Sequence, residues 1–452
     1  MRKFGFMAAV AVSIVALSVA APAQAESMTD ALSRAYTSNP DLMSAQAQLR
    51  AIDEQAALAR SGFRPSLSAS ASIAAVTEDS ATTNDDYTSR AGELELSQPL
   101  FRGGRTLAAI READSAIAAG RANLLSAEQQ LMLDGIQAYL GVLRDQSVLD
   151  LNRNNETVLT RQLQAARDRF SVGDVTRTDV SQAEARLSRA RASRVQAEAA
   201  LIDSRANYRS IFGVMPEADL KLPDTSAIAL PGTVDDAVAE AEANNPGLVA
   251  AAKNRDVAEA VLSGVKGERL PTVAAVGTLS RSYDAGSSAA DRQDTASAML
   301  RMTWPIYDGG ATSSRIRAAK QDVARRSSNR DSAQRTTVQI ATSAWLQLET
   351  ATAARQSRDA QVQAAQIALD GVREEEQVGS RTVLDTLDAE QELLDARVAL
   401  VTAQHEEILS RYQLLSAVGR LTAREMKLPV EYYDETAYAS RVRHKFIGSG
   451  VE

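Results

Sequence analysis

The chain is 452 residues long, with no cysteine, two histidines, 50 basic against 58 acidic side chains and only 4% aromatic residues. A net charge of −8, with no basic block except near the very end, argues against nucleic acid as a partner. The missing cysteines exclude disulfide bracing and thiolate metal sites.

The first 25 residues place Arg2 and Lys3 before an apolar run from Phe6 to Ala21, then Ala23-Gln24-Ala25. This order is that of a secretory signal peptide, and the run is shorter than the ~20 residues of a spanning helix. Beyond it no stretch reaches the ~18 consecutive apolar residues of a transmembrane helix. A membrane role therefore needs another architecture.

A helix is predicted from Met28 to Arg60, running through Asn39-Pro40. At residues 66–76, SLSASASIAAV, the period becomes two: Leu67, Ala69, Ala71 and Ile73 alternate with serines, which predicts a strand. A polar loop is expected from Thr77 to Ser89. The return strand, about 90–100, sets Leu94 and Leu96 opposite Glu93 and Glu95. SQPLFRGGRT, residues 97–106, then ends the hairpin and opens a helix running to about Phe170. At ~1.5 Å per residue such a helix approaches about 100 Å. Val172-Gly173 turns the chain, and a return helix reaches Gly213. Its seam, Ala183, Leu187, Ala190, Arg194, Ala197, Leu201, Ser204, Tyr208 and Ile211, has heptad spacing with Arg194 as intruder.

The whole pattern recurs 206 residues later: Pro99 as Pro305, Gly104 as Gly310, Asn39-Pro40 as Asn245-Pro246, Val172-Gly173 as Val378-Gly379. Glycine and proline mark enforced bends, so repeated punctuation means repeated architecture. The chain divides into 26–231 and 232–439, with a tail, 440–452, expected to be disordered. The second copy predicts a helix from Val234 to about Lys266, strands at about 272–283 and 295–306, and a loop from Asp284 to Asp294. In its last strand Leu300 and Met302 lie opposite Met299 and Arg301. Its return-helix seam runs from Ala389 to Ala417, with Glu407 as intruder.

The fold class expected is mainly α, built of long helix hairpins, with one β-hairpin per repeat. Four strands cannot close a membrane barrel, which needs about eight, and an open sheet in lipid leaves edge N–H and C=O groups unsatisfied. Strands in a membrane therefore require several chains, and three would supply twelve. The alternative is a periplasmic or surface coiled-coil protein whose hairpins form a soluble cap without a pore.

RFSVGDVTRTDVSQAEARL at 169–187 and VGSRTVLDTLDAEQELLDAR at 378–397, held in register with the other punctuation, make the chain resemble the TolC family of efflux and type I secretion channels. The resemblance covers residues 28 to about 430. It implies a homotrimer with a twelve-stranded barrel in outer-membrane lipid, a periplasmic helical tunnel and an equatorial region around 214–233 and 420–440. It also implies an inner-membrane pump, of the resistance-nodulation-division or ABC type, reached through a periplasmic adaptor. In that family the tunnel end is closed by inward-coiled helices. Asp385 and Asp388 resemble its constriction aspartates, Arg381 a basic latch residue, and Thr178 and Asp179 that latch's partners. Glu376 stands where the better-known latch has a tyrosine, so that link must differ. Independently, Asp385 and Asp388 share a helix face, and a threefold axis would gather them into two rings of carboxylates that favour cations. Glu93, Glu95 and Arg301 are assigned to the barrel lumen, with the leucines against lipid.

No nucleophile, base or metal set stands out. His405 and His444 are isolated and read as solvated, and neither Gly-Gly pair belongs to a phosphate-binding motif. No enzymatic activity and no cofactor are expected.

Overall fold

The computed structural model describes residues 26–80, 83–217, 219–225, 228–283 and 292–450. The signal-peptide reading and most of the 284–294 loop lie outside the described residues. The first repeat comprises α1 (Met28–Ser38), α2 (Pro40–Ser61), β1 (Ser66–Ser80), β2 (Thr83–Arg102), α3 (Arg105–Ser171) and α4 (Arg177–Phe212). The second comprises α5 (Val234–Asn244), α6 (Pro246–Gly267), β3 (Thr272–Tyr283), β4 (Arg292–Thr303), α7 (Ala311–Gln377) and α8 (Val383–Ala417), followed by α9 (Ala437–Val442).

The opening helix of each repeat is broken, where the sequence predicts continuity. Asn39, with φ −71° and ψ 124°, ends α1 and caps α2. The residue before a proline is pushed out of the α region, and the asparagine side chain then satisfies the orphan N–H groups of the new helix. Its Oδ1 accepts from the Asp41 and Leu42 amides, while Nδ2 donates to Ile211 O at 3.2 Å. Asn245 repeats this, accepting from the Leu248 amide and donating to Ala417 O. The Asn-Pro step thus ties the start of α2 to the end of α4, and both pack along α3.

The four strands form one antiparallel sheet in the order β1-β2-β3-β4. Ser66 pairs with Ser97 and, 206 residues on, Thr272 pairs with Thr303, so the two hairpins share a register. The first hairpin is longer than predicted, pairing from Ser66↔Ser97 to Ser80↔Thr83 through the expected loop. Alternation vanishes there because polar residues occupy both faces, but backbone pairing needs no hydrophobic pattern. β4 starts earlier than expected and stops at Thr303, leaving Trp304–Ile306 outside it. Their counterparts Gln98–Leu100 are in β2, which has a strand on both sides. Between β2 and β3 the register shifts between Pro99 and Phe101. A proline without an N–H to give fits such a bulge.

Register aligns the faces across all four strands. Leu67 lies opposite Leu96, Leu94 opposite Leu279, and Ala275 opposite Leu300, giving a continuous apolar face. The other face carries Ser68, Glu95, Thr278 and Ser297 in one row, with Glu93 and Arg301 on the same side.

The main core lies midway along the helices. Tyr139, Tyr208, Phe212, Leu32 and Met132 are fully buried there, with the Tyr208 and Phe212 rings 4.2 Å apart. Leu220, Leu421 and Leu428 from the segments after α4 and α8 cover it. The Tyr139 hydroxyl reaches Lys221 O at 2.6 Å and Glu26 O at 2.9 Å, pinning the start of the described chain to that cover. Each leucine-sized side chain sealed here stabilises by about 1.5–3 kcal/mol.

One expectation changes. His405 is half-buried rather than fully solvated: its Nδ1 is shielded from water, and burial pushes its pKa down. At the tail, α9 overlaps only residues 440–442; it packs on α2, and just before the tail Tyr438 Oη donates to Glu54 Oε1 at 2.7 Å. Among the described residues no helix is long and apolar enough to cross a membrane.

Candidate functional site

The repeated punctuation at the far ends of the long helices forms two matched tips. α3 turns at Gly173, φ +82°, and α7 at Gly379, φ +79°, a backbone conformation for which glycine is suited. Each return helix then starts with a capping box, Thr176 with Asp179 and Thr382 with Asp385. In the second, Asp385 Oδ2 accepts from the Thr382 amide at 2.9 Å and from its hydroxyl at 2.8 Å. These bonds, and then Arg381, hold the Asp385 carboxyl below the usual range. The T-x-x-D spacing in both repeats is the signal for this role.

Asp179 and Asp385 are therefore committed to their own helix starts. Arg381 pairs with Glu375 Oε2 at 2.9 Å within its own tip, and Thr178 is exposed on the first turn of α4. The chain does not bring Arg381 to Thr178 or Asp179.

Other residues join the two tips. Glu376 accepts from Arg169 Nη1 at 3.1 Å and from the Thr386 hydroxyl at 2.7 Å, joining α7 to α3 and α8. Asp388 forms an ion pair with Arg186 of α4. Glu390, 6% exposed, accepts from Gln162 Nε2 at 2.5 Å and Arg373 Nη2 at 2.9 Å. Burial pushes the Glu390 carboxyl up, against the opposing pull of Arg373. Beneath these links Leu387 enters the apolar cluster of Leu159, Leu163, Ala183 and Leu187. Arg169, Gln162, Arg186, Arg373 and Glu390 escaped sequence reasoning. The Gln162–Glu390, Arg169–Glu376 and Arg186–Asp388 links join residues about 200 positions apart and Arg373–Glu390 spans the tip turn, so no local spacing reveals them; only the charge of Glu390 on an otherwise apolar helix side is a clue.

The seam intruders are neutralised in the same manner. Arg194 binds Glu156 at 2.7 Å and Glu198 at 2.6 Å, and Glu407 binds Arg355 at 2.6 Å. Glu93, Glu95 and Arg301 lie in the sheet at the opposite end of the long helices from the tips. Among the described residues no cluster of three or more His, Asp or Glu is arranged to hold a metal.

The chemistry available is that of a mechanical seam: reversible ion pairs over a thin apolar zipper, at one end of a rod whose other end is an open sheet with an apolar face. Known proteins share this fold and repeat. The family model described as "Outer membrane efflux protein" matches residues 31–214 and 237–420, the same 206-residue repeat. The chain is 35% identical over 426 residues to the outer membrane efflux protein BepC of Brucella suis, spanning 94% of this chain and 92% of that protein. It is 29% identical to the outer membrane protein TolC of Vibrio cholerae, over 89% of this chain and 92% of the relative. The solved outer-membrane channel OprN superposes with a TM-score of 0.76 at 23% identity, over 87% of this chain and 89% of OprN. A pore-free coiled coil is thereby set aside. Repeat, fold and sequence agree that the chain belongs to the outer membrane efflux protein family and is a non-enzymatic outer-membrane efflux channel of the TolC type.

Proposed function

We propose that three copies of the chain close one twelve-stranded barrel above a helical tunnel, whose tips an inner-membrane pump and periplasmic adaptor open. The observation that carries this reading is the sheet. Its order leaves β1 and β4 with free edges, which a bilayer does not tolerate. The duplication supplies the missing junction. Since β2 and β3 join the repeats within a chain, β4 and the next copy's β1 are their counterparts. Moving Leu94↔Leu279 by one repeat sets Leu300 opposite Ile73 of the partner subunit, and Gly92↔Arg281 becomes Ala298 opposite Ala75 of the partner subunit. Such closure turns the apolar face to lipid and gathers Glu93, Glu95 and Arg301 in the lumen.

At the tips, the links of Glu376, Asp388 and Glu390 hold the two hairpins together, and their release is the opening step. Asp388 is the constriction carboxylate of this reading, since Asp385 serves as a cap. Arg381, Thr178 and Asp179 stand at the tip surface offered to an adaptor.

The chain is cysteine-free, so a double variant tests the closure directly. Oxidised Ile73→Cys/Leu300→Cys protein should run as a covalent trimer, whereas Ile73→Cys/Met302→Cys, two residues out of register, should cross-link far less. Equal or absent cross-linking in detergent-extracted protein would overturn the register. In planar bilayers, Arg186→Ala with Glu376→Ala should enlarge the conductance step; an unchanged step would remove the gate from these residues.

A further inference from the structure

The C-terminal segment climbs away from the equatorial core toward the strand bases. After Tyr433, whose amide donates to Tyr36 Oη, α9 lies on α2 through Tyr438 and Glu54. Arg443 then pairs with Asp114 of α3, and His444 Nε2 lies 3.5 Å from Arg60 Nη1. Finally Arg64 Nη1 donates to Lys445 O at 2.7 Å, and its guanidinium stacks on the Phe446 ring at 3.9 Å. Arg64 is two residues before β1, so Phe446 stands at the level where the strands begin. There Phe446 and Ile447 are 74% and 93% exposed.

That level already has the makings of an interfacial collar. Phe63, Leu270 and Trp304 are exposed beside the strand ends, where the chain also carries Arg102, Lys266 and Arg269, with Glu268 already paired to Arg315 and Asp308 on the same side as Trp304. Aromatic and basic side chains together are what a membrane–water boundary favours. The tail adds Arg441 and Lys445 next to its two apolar residues, on a segment whose helix is already fixed to the protein. Two bulky apolar residues held in water gain nothing, whereas the same residues beside an anionic interface gain burial and charge attraction.

We propose that residues Arg441–Ile447 form a membrane foot, with Phe446 and Ile447 inserted among anionic phospholipid headgroups of the leaflet nearest the helices. The inference rests on the strands lying in that bilayer. Continuity with the collar and charge complementarity select lipid over a protein occupant.

The test uses full-length trimers labelled with an environment-sensitive fluorophore at Ile447→Cys, in vesicles of phosphatidylethanolamine and phosphatidylglycerol containing bromine-labelled lipid. Labels at Leu67→Cys on the apolar sheet face and at Ser380→Cys on the tip are the controls. The expected result is strong quenching at 67 and 447 and none at 380. Quenching at 447 alone should fall several-fold in an Arg441→Gln/Lys445→Gln background or when phosphatidylcholine replaces phosphatidylglycerol. A label at 447 that stays unquenched while 67 is quenched would overturn the foot, and a blue shift without quenching would assign the site to a neighbouring copy or another protein. An unquenched label at 67 would overturn the strand placement as well.

Discussion

α3 and α7 are both 67 residues long and occupy the same place in their repeats, yet 23 residues of α3 are buried against 7 of α7. The difference is not one of composition alone. α3 lies among α2, α4, α6 and α8, whereas α7 has α5, α6 and α8 and then open space. The turns that start the two helices repeat the contrast. An added Cβ at Gly103 would lie 2.3 Å from Gly267 O, while at Gly309 nothing lies within 4 Å. A duplicated design with one packed and one unpacked copy of the same surface is an unfinished assembly, and the proposed trimer completes it.

The sharpest way to break that comparison is at the two turns. Gly103→Ala and Gly309→Ala both force alanine into the left-handed region, costing about 1–2 kcal/mol. Gly103→Ala adds a backbone collision, for which about 1–3 kcal/mol more is expected. Thermal unfolding of the subunit should therefore separate the two variants clearly. If Gly309 meets the end of α2 in the next copy, its variant should instead lower the yield of trimers. Similar unfolding temperatures for both would dissolve the contrast.

Next in size is the exposed side of α7. Leu346 and Ile367, three heptads apart, are open in the single chain. Burying each in a trimer is worth about 1.5–3 kcal/mol. Leu346→Asp with Ile367→Asp should leave subunit helicity unchanged and shift trimers to monomers in sedimentation. A trimer that survives intact would place the subunit interface elsewhere.

The tips sharpen the comparison from the other side, because there the repeats are alike. Thr176→Ala and Thr382→Ala each remove an N-cap, and about 1 kcal/mol is expected from each. Hydrogen exchange in the first turns should rise at both tips, and less in α8, where the Thr386–Glu376 bond remains. Equal effects would mean that the Thr386–Glu376 bond adds nothing to the cap.

How much of this was legible depended on whether a residue's partner was local. The strands at 66 and 272, the helix turns at Gly173 and Gly379 and the heptad seams follow from spacing, and the structure places them accordingly. Asn39 and Asn245 were read as landmarks but not as breaks, although an asparagine before a proline carries that signal. The first hairpin's outer half reads as a loop because pairing between polar strands leaves no period. At the tips, Asp385 reads as a constriction carboxylate, and the structure adds that it caps its own helix through Thr382, which the T-x-x-D spacing also encodes. The links of Glu376, Asp388 and Glu390 depend on two hairpins meeting, and no single stretch encodes that meeting.

Glu390 supplies the smallest and most specific effect. Its carboxyl is raised above the ordinary 4.5 by burial, despite its bonds to Arg373 and Gln162. The folded chain therefore keeps a proton that the unfolded chain has already released. By linkage, this group's stabilising contribution is complete below the unfolded value and is lost as pH rises through the folded one. Glu390→Gln keeps an acceptor for Arg373 and Gln162 but cannot ionise. The variant should thus show a flatter dependence of tip protection on pH from about 4.5 upward, read by hydrogen exchange at Leu159, Leu163 and Leu387. Asp53, Glu112 and Glu128 are also raised by burial, so the quantity to compare is the difference between variant and parent. A flat difference would mean that Glu390 is already ionised throughout, with Arg373 outweighing burial. The link would then be a permanent ion pair that an adaptor must break mechanically, whereas a slope would make the seam between the two repeats weaken as its carboxyl loses the proton.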